Sequence, residues 1–249
     1  MGMERWTNPE LERLRAEAFA RGAAAEAEAC GAEIRARRER HRTGEMLDVY
    51  DDSLRPAGVK DRGLVHLDGD WHRSFHCWLV SPRRRTIVVQ RRSAAKATYP
   101  GALDVSVAGH YGAGETLAEV CREGEEELGL RLPPERLVPL GRAVDMARHG
   151  YLLDREAADV FAYVTDVPLE DLRPDPAEVA SVLDLPIAAA LALFREEAVA
   201  ARAAQRSPGR GPDVVEVRLA EFTVHHDRYL ARVALQAERL ADGLGPLCI

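Results

Sequence analysis

Glutamate dominates one short stretch of the chain, where four of the five residues from Glu123 to Glu127 are carboxylic acids. On a helix, residues three and four positions apart share a face. The acids with this spacing are Glu119, Glu123, Glu126 and Glu127. Neighbouring carboxylates repel each other, whereas a hard divalent cation such as Mg²⁺ or Mn²⁺ would bind to several of them at once. The alternative interpretation is a solvated acidic face, which charge alone favours.

A glycine-rich loop lies directly before the acidic stretch. Gly109, Gly112 and Gly114 allow tight turns and a close approach of backbone groups to a ligand. A loop of this kind that leads into a helix can also direct backbone amides at phosphate. The loop and the acidic helix together favour a site that binds a metal ion and a phosphorylated molecule.

The stretch resembles the Nudix box, the motif G-x5-E-x7-R-E-U-x-E-E-x-G-U in which U is an apolar residue. Gly109 and Glu115 match the start of the motif, and residues 122–130 match its end. Two departures stand out. Six residues, not seven, separate Glu115 from Arg122, and Gly124 occupies an apolar position. The first departure predicts an altered junction between loop and helix, and the second costs about 1 kcal/mol of helix propensity relative to alanine.

A longer likeness, over roughly residues 45–185, is to the type I isopentenyl-diphosphate isomerase branch of the Nudix superfamily. The segments that carry it are HRSFHCWLV, RRSAAKATYPGALDVSVAGH and Asp154-Arg155-Glu156. Ala108 stands where the isomerases have their catalytic cysteine. A methyl group cannot take or donate the proton that isomerisation requires. The resemblance therefore implies a Nudix hydrolase of the isomerase-like branch.

Such a resemblance implies a metal-dependent hydrolase that cleaves a nucleoside-diphosphate-like or other organic diphosphate by attack of water at phosphorus. Bound Mg²⁺ or Mn²⁺ would bridge phosphate oxygens and lower the pKa of the attacking water. The implied metal ligands are Glu123, Glu126, Glu127 and the carbonyl of Gly109, and the implied structural ion pair is Glu115 with Arg122. The general base is expected to be Glu126 or Glu127, with Glu156 as the alternative.

Three cations follow the apolar run IVVQ and are candidates for substrate binding: Arg91, Arg92 and Lys96. Because the protein is acidic overall, cations must be concentrated locally around a diphosphate. Strand alternation predicts that Arg91 and Arg92 face opposite sides, so that one of them reaches the site. Ordinary surface charge is the alternative interpretation.

Two histidines, His72 and His110, match positions that belong to a second metal site in the isomerases. That site also uses the positions of Asp154 and Glu156, so a retained second metal is a hypothesis for this chain. Isolated histidines are more often polar packing groups or substrate contacts. His72 and His110 are therefore also candidates for substrate binding.

Strand-like and helical segments alternate, which predicts an α/β fold, and the resemblance specifies a Nudix fold, an α/β/α sandwich with a mixed β-sheet. Residues 1–44 are predicted as an N-terminal helical extension, with a helix capped by Asn8 that continues to about Arg42. Residues 45–186 are predicted as the Nudix domain, with GLVHLDGD among its strands. Residues 187–249 are predicted as a helical extension packed on that domain, with helices over 187–204 and 226–242 and a strand at VVEVRL.

Composition limits the partners of the protein. The formal net charge is −7 and the pI is about 5.7, which argues against nucleic acid and anionic membranes as partners. No apolar run reaches the roughly 18 residues of a membrane span, and the charged N-terminus lacks a signal-peptide core. The four scattered cysteines form no CxxC pair, so a reduced, cytoplasmic setting is expected. The N-terminal helix is a candidate surface for a homodimer.

Two other functions stay open beside a diphosphate hydrolase. One is an isopentenyl-diphosphate isomerase-like enzyme, which Ala108 opposes. The other is a catalytically silent Nudix-fold module that binds a ligand. The complete set of glutamates argues against a catalytically silent module, whereas the shortened spacing and Gly124 are compatible with one.

Overall fold

The computed structural model describes residues 2–96 and 98–249 and contains two compact units. The first unit comprises Met1–Arg73, His110–Gly114 and Val144–Ala157, and the second comprises Ser74–Gly109, Glu115–Ala143 and Ala158–Ile249. Both units draw on separated stretches of chain. The division into residues 1–44, 45–186 and 187–249 therefore stays a prediction. Among the described residues, no helix combines the length and apolarity that crossing a membrane requires.

Two helices, α1 (Asn8–Ala20) and α2 (Ala24–Arg40), open the first unit. Thr7 is the N-cap of α1 and forms a reciprocal capping box with Glu10, so the prediction of Asn8 as the cap is wrong by one residue. The predicted continuous helix is also wrong, because the chain turns at Gly22, whose φ of +73° interrupts the helical backbone.

The rest of the first unit contains a hairpin and a short helix. Strand β1 (Met46–Tyr50) pairs antiparallel with β2 (Pro56–Asp61), and β1 also pairs with the start of β3 (Trp71–Ser81). GLVHLDGD, predicted as a strand, lies instead mostly in helix α3 (Arg62–Asp68). The side chain of Asp61 accepts a hydrogen bond from Gly63 N, and Gly69 ends the helix in the left-handed conformation. These two caps outweigh the short apolar run that favoured a strand.

An antiparallel sheet forms the centre of the second unit. The remaining strands of the chain are β4 (Thr86–Arg92), β5 (Leu103–Asp104), β6 (Val107–His110), β7 (Leu137–His149), β8 (Leu152–Val164), β9 (Val179–Pro186), β10 (Ala201–Arg206) and β11 (Asp213–Val217). The order of strands in the central sheet is β11-β10-β9-β4-β3. Strand β5 pairs antiparallel with β4, and β7 pairs with β8. A parallel bridge joins Leu103 to Phe222.

The C-terminal part of the chain is not purely helical, which corrects the predicted helical extension. Helix α6 (Ile187–Phe194) ends early, at a turn in which Glu196 has a φ of +63°. The remainder of the predicted helix 187–204 enters β10, whose first residues alternate between buried and exposed. Helix α7 (Tyr229–Ala241) lies within the second predicted helix. The strand at VVEVRL is confirmed as part of β11.

The acidic stretch forms two short helical segments, α4 (Leu117–Val120) and α5 (Glu123–Leu128), separated by Cys121 and Arg122. The interruption begins at Cys121, the last residue of the interval that is one residue shorter than in the Nudix box. Gly124 is buried in α5, and a Cβ atom there would lie 2.5 Å from the Leu130 carbonyl oxygen and 2.6 Å from Leu132 Cγ. Close packing therefore explains the glycine at a position that is apolar in the motif.

We predict opposite effects of alanine at two helical glycines. Gly124→Ala should lower the free energy of unfolding by about 1–3 kcal/mol, because its methyl group overlaps backbone and Leu132. Gly31→Ala, in α2, should raise it by up to about 1 kcal/mol, because the new methyl meets only the flexible ends of Arg15 and Arg35. Urea unfolding of both variants measures the difference, and equal effects would contradict the packing explanation.

Candidate functional sites

Glu127 is the buried member of the acidic stretch, with 4% of its surface exposed. Its Oε2 atom accepts hydrogen bonds from the backbone N–H of Ala108 at 3.1 Å and from Gln90 Nε2 at 3.2 Å. Burial raises the pKa of Glu127 to about 8, against the lowering effect of the Ala108 N–H. A carboxylate held this way carries its full charge only when a cation compensates it.

Glu123 is half-buried and packs directly against the backbone of Gly109. A Cβ atom at position 109 would overlap the Glu123 carboxylate, so glycine is required for this approach. Burial raises the pKa of Glu123, although Arg122 opposes the shift. The Gly109 backbone therefore lies beside Glu123 in the second unit, which also contains Glu127, and the pKa values of both carboxylates are raised.

Arg122 is the cation of this acidic site, which we define as Glu115, Arg122, Glu123, Glu126 and Glu127. Its Nε lies 3.1 Å from Glu115 Oε1, which confirms the predicted ion pair. The same guanidinium also contacts Glu123, and its Nη1 lies 3.1 Å from Glu126 Oε2. One positive charge therefore faces three carboxylates, and Glu127 adds a fourth acid to the site.

The acidic site fits a hard divalent cation on the chemistry of its donors, because carboxylate and backbone oxygens are the ligands that Mg²⁺ and Mn²⁺ prefer. The partly buried Glu123, the buried Glu127 and the exposed Glu126 could supply these oxygens, with the Gly109 carbonyl beside them. Glu119 has a different role, because it caps α4 by accepting from the backbone N–H and hydroxyl of Thr116 at 2.8 and 2.7 Å.

Each of the three predicted substrate-binding cations has a carboxylate partner in the second unit. Arg91 Nη2 lies 3.0 Å from Glu221 Oε2, Arg92 Nη1 lies 2.9 Å from Asp104 Oδ2, and Lys96 contacts Glu178. A register shift in the β4–β9 pairing falls between Arg91 and Arg92. Gln90 and Asp104 are cross-strand partners, so their side chains share the sheet face on which Gln90 reaches Glu127.

Asp104 is a buried residue that sequence reasoning did not single out. Its Oδ1 accepts a hydrogen bond from the Thr223 hydroxyl at 3.0 Å, and His225 Nε2 lies 2.9 Å from the same hydroxyl. Burial alone would raise the pKa of Asp104, but His225 and Arg92 hold it at about 2. No pattern in the sequence connects residue 104 with residues 223 and 225, because the contact depends on how the C-terminal part folds back.

A second group of residues that could hold a metal ion, the histidine cluster, lies in the first unit and comprises His66, His72, His110, Asp154 and Glu156. His66 Nε2 and His72 Nε2 lie 3.6 and 3.5 Å from Asp154 Oδ1. His110 Nε2 lies 3.3 Å from Glu156 Oε1, and His72 Nε2 lies 3.8 Å from the same atom. The three imidazoles therefore direct their Nε2 atoms at two carboxylates.

Backbone carbonyls orient two of these imidazoles. His66 Nδ1 lies 2.8 Å from the carbonyl oxygen of Arg62, and His72 Nδ1 lies 3.2 Å from that of Asp70. A carbonyl can only accept, so each Nδ1 carries a proton, and each Nε2 presents a lone pair when its ring is neutral. This arrangement is typical of histidines that bind a metal.

Unsatisfied polar atoms support the fit of the histidine cluster to a metal ion. Among the described residues, His72 Nε2, His110 Nε2 and Asp154 Oδ1 are buried without a hydrogen-bond partner of acceptable geometry. Burial lowers the pKa of His110 and His66, which favours the neutral imidazoles that metals bind, whereas Glu156 and Asp154 outweigh burial at His72 and raise its pKa. Burial raises the pKa of Asp154, whereas His110 and His72 outweigh burial at Glu156 and lower its pKa.

The structure thus places the predicted residues in two groups. Glu123, Glu126, Glu127 and Gly109 belong to the second unit, as do the three cations, whereas His72, His110 and Glu156 belong to the first. Sequence reasoning missed His66 as a member of the histidine cluster. The spacing of six residues to His72 was visible, but His66 was assigned to a strand and lies in α3.

Comparison with known families identifies the domain. Residues 70–206, more than half of the chain, match the model of the NUDIX domain. The protein belongs to the NUDIX family.

Relatives within this family differ in their named activities. An uncharacterised Nudix hydrolase of Clostridium acetobutylicum is 34% identical over 145 residues, which cover 57% of this chain and 70% of that protein. An isopentenyl-diphosphate Delta-isomerase of Paenarthrobacter aurescens is 34% identical over 146 residues, which cover 55% and 73%. Nudix hydrolase 3 of Arabidopsis thaliana is 36% identical, but the matched region spans only 19% of its length. A crystal structure of a Deinococcus radiodurans protein is 24% identical, with a TM-score of 0.47 over 61% of this chain and 90% of that one.

We predict that Asp104 makes stability depend on pH in the acid range. Because its folded pKa of about 2 is below the ordinary 3.8, the unfolded chain binds the proton more tightly. The stabilisation is complete above roughly pH 4 and is lost as the pH falls towards about 2. Urea unfolding of the wild type and Asp104→Asn should differ more at about pH 5.5 than at about pH 3. A difference that does not change with pH would contradict this assignment.

Proposed function

We propose that the protein is a metal-dependent hydrolase that cleaves the diphosphate linkage of a nucleoside-diphosphate-like or other organic diphosphate. The observation that carries the proposal is the acidic site, in which one guanidinium faces three carboxylates beside the buried Glu127. Membership of the NUDIX family and the hydrolases among its relatives support it. The substrate is a small molecule of the diphosphate class.

The divalent ion that Glu123, Glu126, Glu127 and the Gly109 carbonyl would hold supplies charge neutralisation at the phosphates and a more acidic water. The protein's own side chains hold the ion in place and accept the proton of the attacking water. Glu127 is fixed by the Ala108 N–H and Gln90, which suits a ligand. Glu126, whose side chain is 57% exposed, is available to accept the proton of the attacking water. A new P–O bond forms as the bridging P–O bond breaks, and the phosphate leaves with that bond's electrons.

Arg91, Arg92 and Lys96 are proposed to bind the diphosphate. Each is at present paired with an acid, so each is already held in place, and substrate oxygens could join or replace these acids. Glu156 as an alternative base, and His72 and His110 as substrate contacts, depend instead on the histidine cluster.

The histidine cluster is proposed to hold a second, borderline metal ion such as Zn²⁺ or Co²⁺, because its donors include three imidazole nitrogens. The residues that would hold the ion are the five members of the cluster. The orphaned Nε2 atoms of His72 and His110 support this assignment.

Isomerisation is the second candidate function, favoured by the isomerases among the relatives. Ala108 argues against it, since the side chain at this position has no proton to exchange. The backbone N–H of Ala108 instead holds Glu127. A silent binding module is the third candidate. Phosphate release from a panel of nucleoside diphosphate derivatives with Mg²⁺ or Mn²⁺ tests the proposal, and no release with any metal would favour the silent module.

A cytoplasmic location, a homodimer built on the N-terminal helices and the exclusion of nucleic acid as a partner stay predictions. Size-exclusion chromatography with light scattering measures the oligomeric state directly.

We predict that Glu127→Gln lowers turnover by about two orders of magnitude or more, while the protein remains folded. A glutamine retains the oxygen that accepts from Ala108 and Gln90 but lacks the charge that binds a cation. The matched control is Glu125→Gln, an exposed acid on the same helix, which should leave turnover unchanged. Equal turnover of Glu127→Gln and wild type would remove Glu127 from the mechanism.

For the histidine cluster, we expect Co²⁺ added to chelator-treated protein to produce a visible absorption band and to stabilise the fold. At a free concentration of about 100 times Kd, the free energy of unfolding should rise by about 2.7 kcal/mol. His66→Gln should weaken both effects, because it removes one ligand nitrogen. His226→Gln, an exposed histidine outside the cluster, is the control. An unchanged cobalt spectrum in His66→Gln would exclude His66 as a ligand.

A further inference from the structure

A short segment near the C-terminus, residues 221–225, contacts residues next to the candidate substrate-binding arginines. It lies beyond residue 206, where the match to the NUDIX domain ends. Phe222 forms a parallel bridge with Leu103, and Thr223 N donates to the Leu103 carbonyl oxygen at 2.8 Å. The segment thus lies alongside β5, the two-residue strand that contains Asp104.

The side chains of this segment form hydrogen bonds that lead to the buried Asp104. The Thr223 hydroxyl donates its proton to Asp104 Oδ1 at 3.0 Å. Since a hydroxyl has only one proton, His225 Nε2, at 2.9 Å from the same oxygen, must donate to it. A chain of hydrogen bonds therefore runs from His225 through Thr223 to Asp104, and Thr223 is itself buried.

Asp104 in turn holds Arg92. Its Oδ2 accepts from Arg92 Nη1 at 2.9 Å, while Arg92 Nε and Nη2 donate to the Thr98 carbonyl oxygen at 3.3 and 3.1 Å. Nη2 also lies 3.5 Å from Thr98 Oγ1. A guanidinium has five N–H groups. Among the described residues, these contacts leave one N–H on Nη1 for a ligand.

The pair formed by Asp104 and Arg92 is linked to the acidic site of the same unit through the sheet face on which Asp104 lies. Asp104 and Gln90 are cross-strand partners, and Gln90 donates to Glu127. Side chains of directly opposed residues share one face of a sheet. Asp104 therefore holds Arg92 from the face on which Glu127 lies.

We propose that Thr223 is a positioning residue that acts through Asp104 to fix Arg92 for one phosphate group of the substrate. His225 supports Thr223 by donating to its hydroxyl oxygen. The proposal rests on the proposed diphosphate chemistry and adds a part of the chain that the NUDIX match does not include. An arginine fixed before binding loses less side-chain entropy when it takes up phosphate.

The second unit offers a matched control elsewhere. Thr86 Oγ1 donates to Asp184 Oδ1 at 2.9 Å, and Arg84 Nε donates to Asp184 Oδ2 at 2.8 Å. This threonine–aspartate–arginine group, in which Thr86 and Asp184 are buried, has the same chemistry as Thr223, Asp104 and Arg92, but it belongs to neither candidate site. Loss of the Thr86 hydroxyl should lower the stability of the fold but leave substrate binding unchanged.

The test is a calorimetric titration of full-length protein with inorganic pyrophosphate in the presence of Mg²⁺. Thr223→Val should weaken pyrophosphate binding about tenfold, because the hydrogen bond to the charged Asp104 is lost. Thr223→Ser, which keeps the hydroxyl, should restore most of the affinity. Thr86→Val should bind pyrophosphate like the wild type, although it too loses a buried hydrogen bond.

A double-mutant cycle separates a positioning effect from general destabilisation. In an Arg92→Gln background, Thr223→Val should cause less than a twofold further loss, because its effect passes through Arg92. In a Glu221→Gln background, which acts on Arg91, the loss from Thr223→Val should remain near tenfold. If Arg92→Gln does not fold, the comparison of Thr223→Val, Thr223→Ser and Thr86→Val decides alone.

The outcomes distinguish the two proposals. Pyrophosphate binding that is retained in wild type and unchanged in Thr223→Val overturns the positioning role and leaves the diphosphate site intact. Equal losses in Thr223→Val and Thr86→Val also overturn it. Absence of pyrophosphate binding to the wild type would overturn both the positioning role and the diphosphate site on which it rests.

Discussion

The repulsion among carboxylates of the acidic site is the constraint on which the proposed chemistry depends. Arg122 reaches Glu115, Glu123 and Glu126 with a single positive charge. Its side chain is 40% exposed, so water screens much of each interaction. Among the described residues, the hydrogen-bond donors to the buried Glu127 are neutral, namely the Ala108 N–H and Gln90. The protein therefore positions the acids by backbone and packing, while their negative charge is only partly compensated, and a bound cation is the proposed compensation.

Backbone groups, more than side chains, make this arrangement possible. Gly109 gives Glu123 space to approach, and Ala108 offers its N–H to Glu127. Neither feature uses the side chain at position 108, so both are compatible with the alanine found there. The proposed metal ligands therefore do not depend on which side chain this position carries.

Much of this architecture could be predicted from the sequence, because it depends on local spacing. The acidic helix and the Glu115–Arg122 pair follow from residues a few positions apart. The helix at Arg62–Asp68 was missed because its caps, Asp61 and Gly69, outweigh a short apolar run that resembles a strand. The contacts of Asp104 with Thr223 and of His66 with Asp154 were not predictable, since they join distant parts of the chain.

The break between α4 and α5 has a consequence for how such a motif can vary. Each residue of an α-helix turns the chain by about 100°, so removal of one residue from an unbroken helix would rotate every later side chain away from its neighbours. Here Cys121 and Arg122 separate the two segments, and the tighter hydrogen bonds of a 3₁₀ turn cross the break, from Arg122 N to the Glu119 carbonyl oxygen at 3.1 Å and from Gly124 N to that of Cys121 at 3.2 Å. Such a turn rotates the chain by about 120° per residue instead of about 100°, so part of the rotation lost with one residue can be recovered at this point. A change of loop length by one residue therefore alters the direction of Glu123 less than it would in a regular helix.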